Sequence, residues 1–588
     1  MSVVVGIDLG TTNCAVAQRE IAPESTGGTV AVPQLTAPGT LENRALLPSF
    51  IYIPQPDEFA QGTLALPWQP DSALITGEFA RAHGVKVPTR LVASAKSWLS
   101  HSGVDRSAKI LPWGAPPDVK KVSPVEASAQ YLRHIAGSLR HADVDYNEII
   151  LTVPASFDAA ARELTIEAAQ AAKLANVTLL EEPQAALYAW LERSGDSFRK
   201  QVELGDVILV VDVGGGTTDL SLIRVTEENG DLQLTRMAVG DHILLGGDNM
   251  DLTLAHNLAL DRKLDAWKFA SLTYGCRQAK ELLFADPKLK KAPISVVSRG
   301  SALVGGTLKF ELTREDLTRI LIDGFMPHVA VTELPQSARR TGLTQVALPY
   351  AQDPAITRHL AAFLTRQSRI AEGRSFVHPT AILFNGGVFK AGVLKTRIVE
   401  VVNQWLASDG GSPVKELESA DLDLAVASGA AYYGWVRHGH GIRIRGGTAR
   451  AYYVGVEAAM PAVPGFEPPV RAVCVAPFGM EEGTHADIPP QEFALVVGEP
   501  TVFRFFASSV RRDDRVGDTV EDAARSDELE EVAPIETSLK GEPGRLVPVN
   551  LQAAVTEVGT LELRCLEKGG SGRWNLELNV RSGERDVA

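Results

Sequence analysis

Cysteine is scarce. The 588 residues hold four, Cys14, Cys276, Cys474 and Cys565, far apart and without a CxxC pair. That spacing speaks against a disulfide framework and for reduced thiols. Apolar runs stop well short of the ~18 residues of a membrane span. No charged, then apolar, leader precedes the first strand, so a cytoplasmic protein without membrane association is expected. No GxxxxGK[ST] loop occurs, which excludes a P-loop ATPase. Positive charge is also short: 58 Lys and Arg face 72 Asp and Glu, a net charge of −14. Broad binding to nucleic acid is not expected, because counterion release needs clustered cations. The 12 His are scattered, and His438-Gly439-His440 has no Cys or carboxylate at ligand spacing, so it reads as no metal site. What remains is a soluble globular composition, 45% hydrophobic and 22% charged, long enough for two to four domains.

Two short stretches carry most of the information. Val5-Gly6-Ile7-Asp8-Leu9-Gly10-Thr11-Thr12-Asn13 and Val210-Val211-Asp212-Val213-Gly214-Gly215-Gly216-Thr217-Thr218-Asp219 share one order: apolar strand, aspartate, glycine turn with threonines, apolar run. Such glycine turns let backbone N–H groups face phosphate oxygens, and threonine hydroxyls add donors. An aspartate at a strand end suits a hydrated Mg²⁺, which takes only one or two carboxylates. Two such hairpins facing each other would grip a polyphosphate from both sides. Either alone would pass for an ordinary β-turn.

Around the hairpins, strands alternate with helices in two matched halves, which predicts an α/β fold with the ligand between them. Ile21 to Pro70 reads as loops around short strands such as Ser49 to Ile53. Glu148 to Val153 reads as a buried strand, and Asp158 as the cap of a helix reaching about Ala175. Val177 to Leu180 is the next strand, and Pro183 starts another helix. Residues 335–380 read as an insertion with a helix from Ala355 to Gln367. After Trp435 the chain turns Gly-, His- and Arg-rich from Arg437 to Arg450. Beyond it, Thr501 to Phe506, Leu561 to Cys565 and Trp574 to Val580 alternate at the strand period, and Lys568 to Gly572 reads as a hairpin turn. The acidic run Asp513 to Glu531 reads as a solvated loop or short helix.

Further features converge on a nucleotide. Lys96 lies in an apolar stretch, Leu91 to Leu99; alone it would read as a snorkelling surface lysine. Glu181-Glu182-Pro183 puts carboxylates at a strand end, where a water-orienting group could project, though they also suit a helix's first turn. Ile382 to Gly387 is a buried strand ending in a Gly pair, where backbone can pass close to a flat ligand. Asp423 precedes a small-residue helix, Ala425 to Gly434.

In this order the motifs resemble the heat-shock protein 70 (DnaK-like) chaperone family, within the wider actin, sugar-kinase and heat-shock ATPase group. Gly6 to Thr12 is similar to its first phosphate loop, Thr152-Val153-Pro154-Ala155 with Glu182-Pro183 to its connecting segment, Asp212 to Asp219 to its second phosphate loop, and Gly246 to Asp251 to a downstream acidic signature. The resemblance implies a two-lobed actin-like ATPase (a duplicated ribonuclease H-like fold) followed by a mostly β C-terminal domain. Lobe I would span 1–195, lobe II with a return to lobe I 196–436, a linker 437–450, and a substrate- or partner-binding domain 451–588. It also implies ATP/ADP and Mg²⁺ as cofactors, with Asp8 and Asp212 holding the metal through water. Gly10, Thr11, Thr12, Asn13, Gly214, Gly215 and Gly216 would contact phosphates. Lys96, Glu182, Asp212, Thr217 and Asp219 would be the catalytic set. Arg277, Lys280, Glu281, Gly386, Gly387, Lys390 and Asp423 would line the adenosine pocket. Pro154 and Arg162 match positions that relay nucleotide state.

Departures accompany the match. Asn13 stands where an aromatic residue or serine is usual. Arg277 and Glu281 stand where glutamate and arginine are usual, four apart on a helix, so their pairing could persist with polarity swapped. Val388 and Lys390 replace a serine and an arginine. The linker is basic and Gly-rich rather than leucine-rich, and no long helical segment follows the β domain. The leading expectation is slow ATP hydrolysis controlling how the β domain holds unfolded or extended polypeptide, with J-domain and nucleotide-exchange helpers implied by resemblance. The alternative is a nucleotide-gated module for a dedicated protein partner with little turnover. A small-molecule kinase and a filament-forming protein are the remaining readings.

Overall fold

The computed structural model describes all residues except 1, 71, 102, 229–230, 242, 297–306, 337–347, 368–372, 443, 446–447, 449, 458–468, 481–483, 490–492, 509, 512, 527, 540, 556–559, 571 and 580–588. It divides into two compact units, Met1–Leu234 with Val239–Arg443, and Thr235–Ala238 with Ile444–Ala588. No described helix is long and apolar enough to cross a membrane.

The first unit is built twice from one plan. Val3–Leu9 and Val207–Val213 are almost wholly apolar and buried on both faces, as central strands covered by helices must be. Each turns through its glycine–threonine link into an antiparallel partner, Asn13–Glu20 or Thr218–Glu228, with Asp8 opposite Ala15 and Asp212 opposite Asp219. On its other edge each pairs with a parallel strand, Glu148–Val153 or Ala381–Asn385. Parallel strands Val177–Glu181 and Lys415–Leu417 follow outside these. Parallel neighbours require a crossover, supplied by helices Ala159–Ala171 and Gly392–Ser408.

Local chemistry sets the helix ends. Asp158 accepts the Ala161 N–H at 2.6 Å as the N-cap. The helix stops at Ala171 rather than Ala175, because Lys173 is left-handed (φ +61°). Lys173 N–H then reaches the Gln170 carbonyl and Leu174 N–H the Ala169 carbonyl, closing a Schellman motif. Helices Glu182–Ser194 and Ala425–Arg437 pack on each other, and the second lies on strand Val3–Leu9. At Gly429 a Cβ would overlap the Ala185 carbonyl oxygen, so glycine is needed for that approach.

Smaller elements project from each half. A three-stranded sheet orders Ile75–Thr76, Ile51–Tyr52 and Leu91–Val92 in the first. The second carries helices Gly247–Leu258 and Ala266–Ala285 and the hairpin Lys291–Val296 with Leu308–Thr313. Within 335–380 the helix runs Ile356–Arg366, one residue shorter at each end than the sequence suggests; 337–347 and 368–372 lie outside the described residues.

The second unit contains two antiparallel sheets. One orders Thr519–Val520, Val470–Ala476, Ala451–Glu457, Pro500–Ser508 and Glu530–Ser538. The other orders Thr484–Asp487, Arg545–Val555, Thr560–Glu567 and Arg573–Asn579, with Phe493–Val497 also on Arg545–Val555. Inward residues of both, among them Val454, Val473, Phe505, Leu495, Val549 and Leu563, form one core, a β-sandwich. All three strands expected from the period of two are present, and Val580 lies outside the described residues. The acidic run holds a two-residue strand and the 3₁₀ turn Ala523–Arg525, and its Asp514 accepts the Tyr453 hydroxyl at 2.7 Å. Of the expected linker, Arg437 ends a helix, and Arg443, Gly446, Gly447 and Ala449 lie outside the described residues.

Candidate functional site

Asp8 and Asp212 occupy equivalent registers, each next to last in its strand. Each is held from the parallel neighbour: Thr152 Oγ1 donates to Asp8 Oδ1 at 3.3 Å and Asn385 Nδ2 to Asp212 Oδ2 at 2.8 Å. Ser49 braces the first turn, its hydroxyl donating to the Gly10 carbonyl at 2.6 Å and its N–H to the Thr12 carbonyl at 2.9 Å. The second turn closes with Gly214 N–H on the Thr217 carbonyl at 3.0 Å. Helix Gly247–Leu258 starts on it, with Gly247 and Asp248 N–H groups donating to the Gly214 and Gly215 carbonyls at 3.0 and 2.8 Å. The turns face each other: Gly215 abuts the Thr12 hydroxyl, and Gly216 abuts Thr11 and Ser97.

Lys96 is buried, at 5% exposure, and pairs with Glu182. It is therefore not the snorkelling surface lysine that its isolated sequence would suggest. Glu182, Asp8 and Asp219 act on this one amine, and Asp212 acts on those three carboxylates. Burial raises Asp8 to about 7, and repulsion from Glu182 adds to it against Lys96 and Thr152. Burial also raises Glu182, against the pull of Lys96 and with the push of Asp219. Asp212 is raised by burial and Glu182, and Asp219 by burial against hydrogen bonds from Ser156 and Thr217. Burial alone would lower Lys96, but Glu182 and Asp8 override it and its pKa rises. Every group holds its proton more tightly than usual: burial and mutual repulsion penalise negative charge on the carboxylates, and Glu182 and Asp8 hold the proton on Lys96. Among the described residues no three His, Cys or carboxylates could hold a bare metal ion. An all-oxygen donor set of this kind fits a cation that keeps its waters, as Mg²⁺ does.

Beside the turns, Arg277 binds Asp248 and donates to Asp251 Oδ2 at 2.7 Å, while Lys280 contacts Asp251 at 2.7 Å and the Gly247 carbonyl at 3.3 Å. Arg277 thus turns to the acidic signature instead of to Glu281, which is exposed. Two carboxylates on the adjacent helix outcompete one solvated i+4 partner. Gly386 follows Asn385 at φ +90°, where a Cβ would collide with the Val213 carbonyl. Gly387 borders open space, and Val388 of the same loop lies against Gly247, joining this loop to the Lys280 wall. Lys390 and Asp423 form a 2.8 Å pair that is largely solvated. Arg162 donates to Glu181 at 3.1 Å and to the Ala155 and Phe157 carbonyls at 2.9 Å, all buried, beneath the connecting segment that contains Pro154.

Several participants carry little sequence signal. Ser156 donates to Asp219 from its hydroxyl at 2.7 Å and from its N–H at 3.3 Å. Thr152 and Asn385 stand at matched places, opposite Asp8 and Asp212 in the two parallel registers. Ser94, which binds Asp248 at 2.6 Å, had no such marker.

Residues 67–330 match the family model described as Hsp70 protein. The chain is 30% identical over 338 residues to the "Chaperone protein HscA homolog" of Bordetella pertussis (strain Tohama I), covering 54% of this chain and 47% of that one. It is 33% identical over 264 residues to "Chaperone protein HscA" of Enterobacter sp. (strain 638), covering 43% and 36%. The counterpart in Serratia proteamaculans (strain 568) is 33% identical over 263 residues, covering 42% and 36%. Over residues 67–330 the chain is similar to Hsp70 proteins. It spans less than half the length of these curated relatives. The expected two-lobed actin-like fold followed by a mostly β domain is the one observed. The Hsp70 model span contains Lys96, Glu182 and the second hairpin but neither Asp8 nor Gly386. In this Hsp70-like chain those two reach the site through the duplicated sheet register.

Proposed function

We propose that the chain binds ATP with Mg²⁺ between the two glycine–threonine turns and hydrolyses it slowly, and that nucleotide state governs how the C-terminal sandwich holds extended polypeptide. The observation that carries this reading is the buried Lys96–Glu182 pair and its neighbouring carboxylates, set beside two facing phosphate-type turns. Mg²⁺, held through water by Asp8 and Asp212, would neutralise phosphate charge. Backbone N–H groups of Gly10 to Thr12 and Gly214 to Gly216 would orient the phosphates, with Asn13 at the edge of the first turn. Lys96 would pass from Glu182 to the terminal phosphate, freeing that carboxylate to orient water with Thr217 and Asp219. Phosphoryl transfer asks for positioning and charge more than for a covalent nucleophile. Arg277, Lys280, Gly386 and Gly387 would border the nucleoside, with Glu281, Lys390 and Asp423 on its solvent side. Strand addition at a sheet edge of the sandwich would give backbone affinity for extended chains. J-domain and exchange helpers belong to the same reading.

Single-turnover ATP hydrolysis by wild type and Lys96→Ala, with and without an unfolded peptide, tests it. The variant is expected to lose about 100- to 1,000-fold, the scale of removing one transition-state donor, and peptide to accelerate the wild type. Tight ATP binding without turnover or peptide response would instead make the chain a nucleotide-gated module for a dedicated protein.

A further inference from the structure

Ser94 stands immediately before the five-residue helix Ala95–Leu99 that carries Lys96. Its backbone is left-handed, φ +52° and ψ +32°, a conformation serine keeps only where its surroundings hold it. Its hydroxyl makes no capping bond to its own helix. It donates instead to Asp248 Oδ2 at 2.6 Å, in the second half of the unit. Asp248 is itself fixed on three sides. Its N–H is bound to the Gly215 carbonyl of the second phosphate-type turn, and its other carboxylate oxygen to Arg277. Arg277 in turn is held by Asp251, which Lys280 also engages.

We propose that Ser94 is a positioning residue: its hydrogen bond to Asp248 ties the orientation of Lys96 to the second phosphate turn, so Lys96 is set for the reaction only when the two halves close on each other. The inference rests on the proposed ATPase reading. One residue, Ala95, separates Ser94 from Lys96, and Ser97 and Trp98 N–H groups bond back to the Ser94 carbonyl, so a change in the Ser94 backbone rotates the whole short helix. Loss of Asp248 removes the contact that holds the left-handed turn, and Lys96 turns away with it.

The test measures nucleotide affinity and single-turnover hydrolysis separately in the full chain. Ser94→Ala is expected to slow hydrolysis about tenfold, the scale of a hydrogen bond to a charged group, with nucleotide Kd changed by less than about twofold, since a remote positioning bond acts on the transition state alone. Ser94→Asn should restore most of the rate, because asparagine tolerates left-handed backbone and its amide can donate to Asp248. Asp248→Asn combined with Ser94→Ala should be no slower than the slower single variant. Ser94→Gly, which keeps the backbone but drops the hydroxyl, should match Ser94→Ala and guards against a folding defect in the latter. Wild-type hydrolysis in Ser94→Ala and Ser94→Gly, or equal losses in affinity and rate, would overturn the proposal while leaving the ATPase reading intact. A wild-type chain that binds no nucleotide would overturn the ATPase reading itself.

Discussion

At the scale of single residues, burial decides what a charge can do. Lys96 stays protonated in a dry setting because the carboxylates around it outnumber it, and they in turn depend on it. His134 shows the opposite case. It is buried, its Nε2 sits 2.9 Å from the Pro33 carbonyl, and the Trp68 ring lies edge-on at 5.3 Å. No carboxylate partner compensates, and burial lowers its pKa to about 4 from an ordinary 6.5. The unfolded chain therefore takes up a proton between those values and the folded one does not. Stability from this group is complete above about pH 6.5 and is lost as pH falls toward 4. Lowering pH from 7.5 to 5 should cost about 2 kcal/mol through His134 alone. Denaturant midpoints of wild type and His134→Gln at both pH values check this; parallel pH slopes for the two proteins would sink it.

At the scale of elements, the first half of the first unit depends on the helix Ala425–Arg437, which packs where side chains leave almost no room. Gly429 on Ala425–Arg437 lies against the Ala185 carbonyl of Glu182–Ser194, the helix whose first residue is the site carboxylate. Gly429→Ala forces a backbone–side-chain overlap that neither helix can relieve by a rotamer change. A loss of about 1–3 kcal/mol is expected, typical of overpacking, read as a lower Tm. A methyl group tolerated within about 0.5 kcal/mol would mean that the helices are farther apart than described here. The same displacement would move Glu182 relative to Lys96, so activity should fall with stability in this variant.

At the scale of the whole molecule, the core of the sandwich is drawn entirely from residues 452–576, so the second unit has the interior of an independent domain. Limited proteolysis should cut within the Gly-, His- and Arg-rich stretch 438–450 and leave two resistant fragments; a first cut inside Val3–Leu9 or Thr560–Glu567 would contradict that division. Much of this was legible beforehand. The hairpins, the Gly386 turn, the α/β alternation and the β strands of the second unit follow from local rules: glycine placement, strand period and cap chemistry act within a few residues. Tertiary structure alone decided that Lys96 is buried, that Arg277 abandons Glu281 for Asp248 and Asp251, and that Ser156 and Ser94 reach Asp219 and Asp248. Those choices set residues 26 to 154 positions apart in competition for the same partners. Their outcome depends on desolvation and geometry that exist only once the sheets have formed.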